Sequence, residues 1–195
     1  MNNIDAGTKG ERTRAKLVTA AGELLQRQGY HATGLAQIVE ESGAPRGSLY
    51  FHFPGGKDEL TIAALRETGE SWRARIEQAI DGAPDVGSAI TAVCAMLARE
   101  LRASNWKLGC PLATVALETA ETNEPVRELC AAHFSGWEAT IGSRLMAAGL
   151  HEALARPMAT FALAAVEGAL LLARTQRSTV PLEIVGETLR SMIAR

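Results

Sequence analysis

GYHATGLAQIVEESGAPRGSLYFHFPGGKDEL, residues 29–60, contains two short helical patterns parted by a glycine turn. Thr33 is expected to cap the first, with Leu35, Ile38 and Val39 facing inward and Ser42-Gly43 ending it. Pro45 suits the first turn of the second, where its missing N–H is no loss. Leu49 and Phe53 lie four apart and should face a small core, with Arg46 and Tyr50 four apart on the opposite side. Pro54-Gly55-Gly56 stops this helix, and Lys57 opens a longer one to about Asp81. Upstream, Thr8-Lys9-Gly10-Glu11 reads as a capping box. Leu17, Ala20, Ala21, Leu24 and Leu25 then recur at helical spacing until Gly29. Two short helices joined by a tight turn and braced by a longer one make a helix-turn-helix arrangement.

The remainder is also helical in pattern. Gly82-Ala83-Pro84 breaks the fourth helix from a fifth at about 85–102, and Pro111 starts a short sixth at about 112–119. Residues 124–148 carry Val126, Leu129, Cys130, Phe134, Trp137, Ile141 and Leu145 in one stripe. Residues 155–174 are apolar nearly all round, and Pro181 opens a last helix. No strand alternation is present, so the expected fold is all-α: a three-helix headpiece and a helical bundle, about nine helices in all.

Composition sets limits on function. The 195 residues carry a formal charge of −2, and residues 1–60 hold seven basic and seven acidic side chains, so bulk charge advertises no nucleic-acid partner. Eighteen of the 22 acids are Glu and only 5% of residues are aromatic, a helix-leaning balance. The longest uncharged apolar run, residues 86–98, is too short to span a bilayer, and the N-terminus lacks a signal-peptide core. Cys94, Cys110 and Cys130 suggest neither a disulfide framework nor a metal knuckle. A reduced, cytoplasmic protein without cofactor, metal or membrane is expected.

The ordered series Thr33, Gly43, Gly47, Leu49, Tyr50, His52, Phe53, Lys57 resembles the DNA-binding headpiece of TetR-family transcriptional repressors over roughly residues 9–69. The variant Ala-Pro-Arg-Gly-Ser-Leu-Tyr with Pro-Gly-Gly-Lys is similar to the LmrA/YxaF-like subgroup. Pro45 departs from the usual helix-capping Ser, and Val39 sits where many members carry Ala. The resemblance implies a helix-turn-helix motif at about 32–51, an effector-binding and dimerisation domain over 70–195, a homodimer, and a palindromic double-stranded operator. It also implies DNA contacts at Thr33, Arg46, Gly47, Ser48, Tyr50, His52 and Lys57.

Those residue types suit the task. Arg46 can fork onto guanine or phosphate, and Gly47 lets the backbone approach. Ser48, Tyr50 and His52 supply phosphate-grade donors, and Thr33 and Lys57 are placed at expected helix starts. With no net charge in the headpiece, the Lys9–Lys16 cluster and the helix ends must provide most of the attraction.

In the remaining two-thirds, Trp72, Met96, Trp106, Cys110, Phe134, Trp137 and Phe161 are candidates to line an apolar effector cavity among helices five to eight. Gly109-Cys110-Pro111-Leu112 resembles the Gly-Cys-Pro segment of LmrA/YxaF-like ligand domains, whose known effectors include flavonoid-like aromatics. Ala162, Ala165 and Ala169 with Leu172 and Leu189 suit a four-helix dimer interface. Glu167, interrupting an apolar helix, is either a salt-bridge partner of Arg144 or Arg174 or a polar contact to a ligand or second subunit. Cys130 and His133 are a weak metal pair. The leading expectation is a ligand-released repressor. The alternatives are a small helical enzyme or redox sensor using Cys110, and a purely structural helical dimer.

Overall fold

A computed structural model describes residues 8–193. Among the described residues there are nine helices and no strand: α1 (Lys9–Ala32), α2 (Leu35–Ser42), α3 (Ser48–His52), α4 (Gly56–Asp81), α5 (Val86–Ala103), α6 (Pro111–Thr119), α7 (Glu124–Ala147), α8 (Glu152–Gln176) and α9 (Val180–Ile193). The all-α expectation holds.

The capping box forms as read. The Thr8 hydroxyl accepts the Glu11 N–H at 3.2 Å and the Glu11 carboxylate accepts the Thr8 N–H at 2.6 Å. Those bonds also hold the Glu11 carboxyl below its usual pKa. The regular part of α1 breaks at Gly29, whose φ of 81° and ψ of −177° belong to a region open essentially only to glycine. Gly43 closes α2 in the left-handed conformation, φ 62°.

Two local expectations are corrected. Thr33 does not cap α2; Gly34 holds that place, and the Thr33 hydroxyl turns back to donate to the Gly29 carbonyl at 2.6 Å. The α1 break at Gly29 leaves that carbonyl without a helical partner, and Thr33 supplies one. Likewise α3 does not begin at Pro45. Residues 45–47 form a turn in which the Ser48 N–H and hydroxyl both donate to the Pro45 carbonyl, at 2.9 and 2.7 Å, so Arg46 sits on the turn before the helix.

One hydrophobic core runs from the headpiece into the bundle. Leu17, Leu24, Ile38, Leu49 and Phe53 are continuous with Leu65, Leu97, Leu112, Cys130 and Leu182. The α7 stripe faces inward as expected, with Leu145 joining Ala155 and Ala159 in a smaller cluster. The α4 helix runs unbroken through residues 69 and 70, linking headpiece to bundle, and α6 packs along α1.

In α8 the length and composition are sufficient to cross a membrane, although scattered charges keep any strictly uncharged run within it short. One side of α8 packs on α5, α7 and α9. The other exposes Leu154, Phe161, Leu171 and Leu172, continuous in character with Val180, Ile184 and Met192 of α9.

Candidate DNA-binding face and ligand cavity

Burial of Leu49 and Phe53 fixes which side of α3 faces out. The exposed side chains are Arg46 on the preceding turn, Tyr50 at 65% and Phe51 at 80% relative exposure. Gly47 is open, with nothing near the position a Cβ would occupy. His52 lies edge-on to Phe51 and beside Gly10 at the start of α1, which brings the exposed Lys9, Arg14 and Lys16 to the same end of the molecule.

Three expected contact residues are differently placed. Thr33 is 1% exposed with its hydroxyl committed, so it offers nothing to a phosphate. The Ser48 hydroxyl is committed to Pro45. Lys57 is partly buried, its Nζ 4.2 Å from the Tyr30 ring centroid, and burial lowers its pKa. Tyr30 in turn donates to Asp58, and burial with that carboxylate pushes its pKa up to about 12. Phe51 was missed. Its signal was available, since a large apolar residue two before the inward Phe53 must point away from the core.

The headpiece is tied to the bundle by specific bonds. The Gln26 amide donates to the Gly109 carbonyl at 2.7 Å in a buried setting, and Arg174 donates to the Arg27 carbonyl at 3.1 Å. The Glu118 carboxylate of α6 accepts the His31 N–H at 2.7 Å, just past the α1 break.

Within the bundle, α4, α5, α7 and α8 line an open-sided cavity of about 90 Å³, with Leu189 of α9 contributing to its wall. Trp72, Ile76, Ile90, Leu97, Trp137 and Leu163 form much of the apolar wall. Arg73 with Glu77 and Arg144 with Asp81 form ion pairs, all four carried by α4 and α7.

Of the seven expected cavity residues, Trp72 and Trp137 line it. Phe134 lies outside the lining but supports Trp137 edge-to-face, their ring centroids 5.7 Å apart. Met96 is packed in the core, Trp106 is half-buried against it, Cys110 is buried outside the cavity lining, and Phe161 is on the far face of α8. Helix α6 therefore contributes no wall, and α4 and α9 take its place. The interface set also divides. Leu172 is half exposed and Ala165 partly so, whereas Ala162, Ala169 and Leu189 are buried inside the protomer, and Ala162 and Leu189 line the cavity. Every side of α8 is apolar, so its composition could not say which side faced inward.

Neither arginine pairs with Glu167. Arg144 binds Asp81, Arg174 reaches Arg27, and Glu167 lines the cavity. Burial raises the Glu167 pKa above its usual 4.5, outweighing the opposing influence of the neighbouring Cys110 thiol. A raised carboxyl pKa means the folded protein loses stability as pH climbs through that raised value, relative to a side chain that cannot ionise. Glu167→Gln should therefore melt higher than the parent at pH 7 and show no advantage below about pH 4.5; equal melting at both pH values would contradict the burial cost.

Cys110 is ill suited to nucleophilic chemistry. It is 4% exposed, and burial and the Glu167 carboxyl push its thiol well above 9.0. His133 packs over Gly69, and among the described residues no group of three or more metal-ligating side chains includes Cys130 and His133.

Comparison with known proteins agrees with both halves of this arrangement. Residues 17–64 match the model for bacterial regulatory proteins of the tetR family, and residues 87–188 match that for the C-terminal domain of LmrA/YxaF-like transcriptional regulators. The chain is 38% identical over 183 residues to the transcriptional regulator YxaF of Bacillus subtilis, covering 94% of this chain and 96% of that one. It is 36% identical to the Bacillus subtilis regulator LmrA, covering 94% and 97% respectively. A TetR transcriptional regulator from Chloroflexus aurantiacus superposes with a TM-score of 0.82 at 28% identity, over 97% of this chain and 98% of that chain. Proteins of this kind are regulators rather than enzymes, they bind DNA, and they generally act as dimers. The chain belongs to the TetR family of helix-turn-helix transcriptional regulators, with an LmrA/YxaF-like C-terminal domain.

Proposed function

We propose that the protein is a cytoplasmic homodimeric repressor that holds a palindromic operator through a headpiece at 9–69 and is released by a small, hydrophobic, ring-containing effector bound in the 70–195 domain. The observation that carries this reading is that α4, the helix leading out of the headpiece, also forms a wall of the apolar cavity through Trp72, Ile76 and Ile80. An occupant pressing on that wall biases the separation of the two headpieces, and two half-sites in successive major grooves tolerate little change in spacing. Selection of genomic fragments by the pure protein, followed by challenge of the complex with a panel of aromatic compounds, tests it. Retention of no specific fragment, or release only by charged metabolites, would refute it.

Within this reading Arg46, Tyr50 and Phe51 carry sequence recognition. Arg46→Ala should cost roughly 1–3 kcal/mol on the specific operator, as expected for loss of a bidentate base contact, and relax preference at one base pair. Lys57→Ala should instead weaken all sequences about equally and modestly, since its ammonium already rests on Tyr30. Competition binding on operator variants separates the two patterns; unchanged affinity and preference for Arg46→Ala would remove Arg46 from the interface.

A further inference from the structure

In an unbroken helix the His31 N–H would donate to the Arg27 carbonyl, four residues back. The break at Gly29, with φ 81° and ψ −177°, parts that pair, and two helices of the bundle take one end each. The Glu118 carboxylate of α6 accepts the His31 N–H at 2.7 Å. The Arg174 guanidinium of α8 donates to the Arg27 carbonyl at 3.1 Å. A helix that gives up an internal bond must find its donor and acceptor other partners, and here both come from outside the headpiece.

A second, independent observation is the space that two glycines leave for these side chains. Gly29 is buried, and a Cβ there would collide with the Glu118 carboxylate. A Cβ at Gly109 would lie 3.2 Å from Arg174 Nη1, and the Gly109 carbonyl accepts from Gln26 at 2.7 Å. The long part of α1 is therefore fastened to the bundle through Gln26 and Arg27, and the short turn beyond the break through His31. That turn leads through Thr33 and Gly34 directly into α2, and its Tyr30 hydroxyl donates to Asp58 in the first turn of α4.

Resting on the reading of the protein as a dimer on a palindromic operator, we infer that Glu118 and Arg174 are positioning residues for operator binding. By holding the two ends of the split α1 bond they set the angle at which α2 and α3 leave the bundle, and so the reach of each headpiece toward its half-site. Both act through α1 rather than on DNA, and this link is separate from α4. With either partner lost, the backbone freedom of glycine lets residue 29 return toward the helical region and His31 turn back to Arg27. The headpiece then takes a range of angles. Two such headpieces still bind single half-sites but no longer discriminate the distance between them.

Competition binding by the full-length protein at low salt tests this. The probes are the palindromic fragment the protein selects, versions with one base pair added or removed between the half-sites, and a duplex carrying one half-site. One base pair rotates a half-site by about a tenth of a turn, so the parent should prefer its own spacing by about tenfold or more. Glu118→Ala and Arg174→Met should each cut that preference to within about threefold, while half-site affinity stays within about twofold of the parent. Glu118→Gln, whose amide oxygen still accepts the His31 N–H, should keep the parent's preference. Because the two residues hold one joint, the double variant should be little worse than either single one. Each preference is a ratio within one variant, so a general loss of stability cancels; Arg174→Leu replaces Arg174→Met if that variant does not fold. A preference that survives Glu118→Ala, or is lost equally in Glu118→Gln, overturns the proposal and leaves the operator reading standing. So does an affinity that falls by the same factor on the half-site and on every spacing, or additive losses in the double variant. A parent that selects no palindromic fragment, or binds all spacings equally, overturns the operator reading and the proposal with it.

Discussion

Phe161→Arg combined with Leu171→Arg is expected to turn the protein into a monomer that loses operator affinity by at least about a hundredfold. Phe161 is 50% exposed, Leu171 63% and Leu172 51%, and α9 adds Val180, Ile184 and Met192 to the same apolar face. A patch of this kind on a soluble protein marks an association surface. Burying two guanidinium groups there without partners costs far more than such an interface gains. Loss of one headpiece removes the effective-concentration advantage of bivalent binding, which is worth 10²–10⁴. Light scattering and operator titration read the two effects separately. A monomeric parent at micromolar concentration, or a double variant that remains dimeric, contradicts the expectation. The corresponding change at Ala169 is a different experiment, because at 2% exposure Ala169→Glu places a charge in the protomer core.

Phe53→Ala should lower stability by about 3–5 kcal/mol, the usual cost of emptying a buried phenylalanine site. Phe53 is fully buried beneath the recognition helix, and the Arg14 guanidinium lies 5.0 Å from its ring centroid. No residue of the cavity wall comes from α1–α3, so compound binding should survive at temperatures where operator binding has gone. Denaturant titration and parallel binding assays check both; an operator affinity unchanged from the parent would show that the headpiece tolerates the void.

Much of the site's logic was legible in residue spacing. The intervals among Gly43, Leu49, Tyr50 and Phe53 specify a short recognition helix with one buried side, and Leu49 and Phe53 are indeed the buried pair. Thr33 shows the limit of such reasoning. A threonine before a helical pattern is a reasonable cap, but its hydroxyl goes to whichever unsatisfied group lies nearest, here the Gly29 carbonyl exposed by the α1 break. Lys57 was drawn away in the same fashion by the ring of Tyr30, 27 residues upstream.

By itself, the sequence determined the helices, their approximate bounds apart from the starts of α2 and α3, the inward side of each amphipathic one, and the helix-turn-helix motif, because all of these depend on interactions within a few residues along the chain. Only the tertiary structure decided how α8 is oriented. Its apolar residues run all the way round, so periodicity assigns no face, and packing on α5, α7 and α9 turned Ala162 and Ala169 inward and left Phe161 and Leu171 out. Tertiary packing likewise made α4 a wall of the cavity, set Cys110 beside Glu167, and left the Trp137 N–H without a partner among the described residues. Each of these joins residues tens of positions apart, and that is why no local pattern could announce them.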